Sequence, residues 1–120
     1  MFTAIILDNA SAAHLRLVAD ANCFLSGATM KLHHCTLAMG DASDRFKVGE
    51  ERTLTVTHTG EIRGRVCAFK VDGASDSDNR TPHITIATFG EGKAKESNQI
   101  RTWIALDHPL TVRGRVTVCQ

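Results

Sequence analysis

Much of what would give a small protein an easily read function is missing from this chain. No apolar run reaches the roughly 20 residues that a membrane-spanning helix needs. Met1-Phe2-Thr3-Ala4 also lacks the charged start of a secretory signal, so a cytoplasmic protein with no membrane partner is expected. The cysteines, Cys23, Cys35, Cys67 and Cys119, include no Cys-x-x-Cys pair, which argues against a zinc clip or a redox motif. Most of them sit in apolar runs, where a free thiol packs as a small hydrophobe. No carboxylate cluster accompanies the histidines, so neither a metal nor another cofactor is expected. Gly90-Glu91-Gly92-Lys93 lacks the spacing and the following Ser or Thr of a phosphate loop. Charge of one sign is not in excess either. With 14 basic and 13 acidic residues the net charge is +1, too little to drive a stable complex with duplex DNA by phosphate neutralisation. A small or single-stranded anionic ligand at a local site fits that balance.

What is present is one domain's worth of ordinary globular sequence. The 120 residues, 42% apolar and 22% charged, are enough to bury a core without staples and contain no evident linker, so residues 1–120 read as a single domain. Residues 2–7 read as a buried strand, after which Asp8 and Asn9 can cap a helix over about residues 10–21. Lys31 to Met39 reads as a strand stopped by Gly40. Residues 52–71 read as a hairpin turning at Gly60 to Gly64. Residues 72–81 are loop by composition, 83–89 a strand opened by Pro82, 93–103 a polar loop or short helix, and 109–119 the last strand. That order predicts an α+β domain: two lobes of mostly antiparallel sheet around a central cleft, with one clear helix. Oligomeric state is left open, because the Thr53, Thr55, Thr57 and Thr59 face of one strand suits solvent or a second chain equally.

Two stretches share one grammar. His34-Cys35-Thr36-Leu37 and His83-Ile84-Thr85-Ile86 each hold a His, an apolar residue, a Thr and another apolar residue, one in each half of the chain. In a strand, residues two apart share a face, so each His and its Thr point the same way while the apolar residues face a core. The same alternation aims His33 at the core side. One neutral imidazole can take a proton while a protonated one gives it up, and two Thr hydroxyls can hold phosphate oxygens. That set suits phosphodiester cleavage. Two half-buried structural histidines explain the pattern equally well, and the pattern by itself does not choose.

These two tetrapeptides resemble the paired His-x-Thr/Ser-hydrophobic motifs of the 2H phosphoesterase superfamily. That superfamily includes RNA 2′,3′-cyclic phosphodiesterases, 2′–5′ phosphodiesterases and phage enzymes that degrade cyclic oligonucleotide signals. Phe2 to Leu7 with the helix after it, Lys31 to Gly40, the run from Pro82 to Trp103, and Gly114 are also similar to small phage and bacterial members. The resemblance implies a metal-independent phosphodiesterase acting on a small or single-stranded ribonucleotide. His34 and His83 would be its acid/base pair, and Thr36 and Thr85 its phosphate ligands. If the chain is viral, its site of action would be the host cytoplasm. Two rivals stand beside this reading: a non-catalytic RNA- or nucleotide-binding module of the same fold, and a structural or interaction protein.

The segment after the second motif offers further candidate substrate contacts. Lys93 and Lys95 can steer phosphate, Ser97 and Asn98 can line the cleft mouth, and Trp103 can stack on a base, with a solvated loop and a core anchor as the plainer roles. The Arg-Gly-Arg-Val repeats at 63–66 and 113–116 fit edge-protecting charges as well as phosphate contacts.

Overall fold

Alternation and capping account for most of the elements. Phe2–Leu7 forms strand β1. Asp8 ends it and opens helix α1, Asn9–Asn22, accepting a hydrogen bond on its carboxylate from the Ser11 amide at 2.7 Å. Leu15 and Ala19, four apart, form the helix's buried stripe. There follow β2 (Thr29–Met30), β3 (His34–Met39), β4 (Glu51–Ile62), β5 (Val66–Asp72), β6 (His83–Thr88), a 3₁₀ helix (Ala94–Gln99) and β7 (Trp103–Cys119). All of residues 1–120 are described in the structure, a computed structural model.

The strands do not divide into two lobes. β3 pairs with β1, β1 with β7, β7 with β4, β4 with β5, and β5 returns to β6, which pairs with β3; every pairing is antiparallel. The result is a closed six-strand antiparallel barrel, 47% strand and 17% helix, in place of the expected two-lobed α+β arrangement. Closure leaves no central cleft between halves. It also satisfies both edges of β4, which is held between β5 and β7, so its Thr face has no free edge for a second chain.

The physical reason is the length of β7. Its C-terminal part pairs with β1 from Gly114 to Cys119, while Trp103 to Arg115 pairs with β4, so one strand stitches the first half of the chain to the hairpin. The sequence hides this: the last strand is expected only from 109, and residues 103–108 extend it in the structure. In the structure Leu106 to Pro109 face Thr57 alone, a bulge in which the missing Pro109 amide hydrogen costs no ladder bond. Gly114 is needed where β7 crosses β1, since a Cβ there would strike the Ile6 carbonyl.

Inside the barrel, alternate residues such as Ile5, Leu37, Leu54, Phe69, Ile84 and Val112 meet in a single cluster of 22 buried side chains, which Leu15 and Ala19 of α1 join. One continuous core is what a closed barrel produces; two lobes would need two. A small satellite of Val66, Ala68 and Ile100 packs outside it.

Candidate functional site

Cys35 of β3 lies opposite Ile84 of β6, and both side chains belong to the barrel core. Alternation therefore turns their neighbours outward. Cys35–Ile84 is the ladder pair that joins β3 to β6, and the outward residues of the two motifs, His34 and Thr36 on β3 and His83 and Thr85 on β6, come together on the outer wall of the barrel.

The four side chains line one cleft of about 580 Å³. Three segments wall it in. Met30, Lys31 and His33 come from the approach to β3. Asn79 comes from the loop after β5, which Ser77 ties down by donating to the Thr36 carbonyl at 2.9 Å. Arg45 and Arg52 brace that loop through Asp78 at 2.9 Å and Asp76 at 2.8 Å. The third wall is the 3₁₀ helix, from which Lys95 and Asn98 reach the cleft. Three residues apart on a 3₁₀ helix share a face, so this pair points one way. The helix itself is pinned by Arg65, whose guanidinium lies 2.6 Å from Glu96. Phe2 and Met39 line the remaining side, and the Phe2 ring centroid sits 4.8 Å from that of His34.

The electrostatics favour an anion. The lining includes Lys31, Lys95 and three histidines, and no Asp or Glu. No three His, Cys, Asp or Glu side chains converge as a metal-holding set.

Each imidazole has a fixed partner. His83, 8% exposed, contacts the Thr81 carbonyl through Nδ1 at 2.9 Å. A carbonyl only accepts, so Nδ1 carries the hydrogen and neutral His83 keeps its free lone pair on Nε2. Burial pushes the His83 pKa down, with the Thr81 bond opposing. His34 is pushed from 6.5 down to about 4, first by burial and then by the charges His33 and His83 would carry. Thr85 is also held: its hydroxyl lies 3.0 Å from that of Ser97.

Several expected contacts differ. His33 does not face the core. It is exposed, lines the cleft and places Nδ1 3.0 Å from Nδ1 of His34. The alternation fails because Leu32, with φ of 46°, breaks the strand just before it. Lys93 precedes the 3₁₀ helix and stays outside the cleft; Lys95 takes the place expected of it. Ser97 is buried at 1% exposure, so it supports Thr85 and cannot touch a ligand in the open cleft. Trp103 packs on Val66, Ala68 and Ile100, making it a core anchor, not a stacking platform. Asn98 lines the cleft as expected, while Phe2, Met30, Lys31, Met39 and Asn79 had no local signal. No protein-family model, curated protein or solved structure matches the chain.

Proposed function

We propose that the chain is a phosphodiesterase that opens a ribonucleotide phosphodiester by two-histidine acid/base catalysis, in the manner of the 2H phosphoesterases whose motif pair it resembles. The proposal rests on the two His–Thr pairs in one cleft and not on the fold, since the closed barrel departs from the two-lobed layout that the order of elements predicted. One observation carries it: the Cys35–Ile84 register puts both imidazoles and both Thr side chains in one cleft that has lysines and no carboxylate.

His83 suits the base, because its Nε2 lone pair is kept free by the Thr81 bond. Water, or a ribose 2′-hydroxyl, gives its proton to His83 as its oxygen bonds to phosphorus. The bond from phosphorus to the leaving oxygen breaks, and that oxygen takes a proton from His34. Thr36 and Thr85 donate to the non-bridging oxygens, where negative charge builds up. If Ser97 donates to Thr85, the Thr85 O–H is left free for phosphate. The test is turnover of 2′,3′-cyclic nucleotides, 2′–5′ dinucleotides and cyclic oligonucleotides with excess chelator present. Hydrolysis of at least one class, unchanged by chelator, is the expected result; no turnover of any class overturns the reading.

A second reading has one observation in its favour. Burial holds both His34 and His83 toward the neutral state, which leaves no obvious proton donor near neutral pH. A module that binds a nucleotide phosphate without cleaving it would need none. Tight binding of a 2′,3′-cyclic nucleotide with no turnover would select it.

A further inference from the structure

We propose that His33 is a positioning residue for His34: its Nδ1–H holds Nδ1 of His34 and passes it a proton as Nε2 of His34 releases one into the cleft. The inference builds on the reading of His34 as proton donor, and its geometry stands apart from that reading.

The two Nδ1 atoms lie 3.0 Å apart, with the rings edge-on at 83° and centroids at 5.2 Å. Two nitrogens at that distance need one hydrogen between them, so one ring donates and the other accepts. The backbone is distorted to bring this about. From Met30, opposite Ala87, to Cys35, opposite Ile84, five steps of chain face three steps of β6, so two extra residues are inserted just before the motif. Leu32 holds the insertion in a left-handed conformation, φ 46°, with its amide on the Thr85 carbonyl at 3.0 Å and its side chain buried. Such a conformation is strained for a non-glycine residue. Bulges of this kind re-aim side chains. Here the one re-aimed is His33, turned from the core onto the cleft.

The arrangement answers the difficulty that the second reading exploits. His34 is buried and resists carrying charge. His33 is exposed, so water can solvate a positive charge on its ring. With His33 as imidazolium, the Nε2–H bond of His34 breaks as the leaving oxygen gains that hydrogen. In the same step the Nδ1–H bond of His33 breaks and the hydrogen bonds to Nδ1 of His34. His33 ends neutral, and His34 ends neutral with its hydrogen moved from Nε2 to Nδ1. The other titratable or charged groups facing the pair are His83, Lys31 and Lys95, none of them acidic.

The test combines NMR of ¹⁵N-histidine-labelled protein with pH–rate profiles of wild type, His33→Phe and His33→Asn. Phe keeps a ring without nitrogen; Asn keeps an N–H donor near the Nδ1 position but cannot carry the charge. In wild type the expected spectrum shows coupling between the two Nδ1 atoms, with the hydrogen on His33. Both variants are expected to lose about 10–100-fold in turnover at neutral pH and to move their optimum downward, toward the range in which His34 protonates by itself. Absence of the coupling, a hydrogen residing on His34 Nδ1, or an unmoved pH optimum overturns the inference. Failure of the two-histidine reading would show differently, as full activity in His34→Ala, and the NMR result decides the contact whatever the turnover.

Discussion

The hydroxyl of Thr85 lies 3.0 Å from that of Ser97, a residue 1% exposed on the 3₁₀ helix that closes one side of the cleft. This contact ties the second motif to the element that follows it in the chain. Ser97→Ala removes it and frees the Thr85 rotamer. A hydrogen bond of this kind is worth about 1 kcal/mol. The expected effect is a loss of roughly fivefold in kcat/KM, with Thr85→Val losing at least as much. The Ser97→Ala protein keeps its secondary structure, which circular dichroism checks alongside the kinetics.

Lys95 reaches the cleft and Lys93 does not. Lys95→Ala is expected to raise KM several-fold and to reduce the dependence of kcat/KM on ionic strength, because a cation facing a phosphate in a cleft without carboxylates has been lost. Lys93→Ala leaves both unchanged. Kinetics at low and high salt distinguish the two.

Protonation of the cleft histidines should work against folding. His34 is held at about 4 against an ordinary 6.5, and His83 is also held low. A lowered folded-state value means that the unfolded chain binds more protons between about pH 6.5 and 4. Stability contributed by the neutral rings is therefore complete above that window and falls as pH drops through it. Denaturant midpoints measured across this range should decline. The decline should be shallower in His34→Gln, which never charges, and the two curves should run parallel toward neutral pH.

Trp103 separates a packing role from a binding role. It lies on Ile100, Val66 and Ala68 in the satellite cluster and is half-buried. Trp103→Ala should cost about 1–3 kcal/mol, less than the 3–5 of a fully buried Trp, and leave KM unchanged. Urea denaturation and steady-state kinetics on the same preparation measure the two effects.

Each half of the site was legible because it depends only on local facts. Alternation pairs His34 with Thr36 and His83 with Thr85, and the apolar residues between them demand a core on the other side. The helix was legible for the same kind of reason, a cap at Asp8 or Asn9 ahead of an apolar stripe; the structure uses Asp8 as the cap and buries Leu15 and Ala19, while Leu17 of the expected stripe is exposed. Closure of the barrel was not. It depends on β7 starting at Trp103, six residues before the strand expected from 109, with Asp107 to Pro109 carried in a bulge. The place of His33 was hidden by Leu32, a residue type that rarely takes a positive φ and so gives no sign of doing so. Lys93 and Lys95 could be told apart only once the 3₁₀ helix fixed which residues share a face with Asn98.

The central claim is that His34 and His83 act as a pair on one phosphodiester. It is tested most directly by ³¹P NMR of 2′,3′-cyclic nucleotides and of 2′–5′ and cyclic oligonucleotides incubated with wild type, His34→Ala and His83→Ala in chelator. Conversion of at least one substrate by wild type is expected, with a loss of about 10²–10⁴-fold or more in each variant. Full activity in either variant would contradict it.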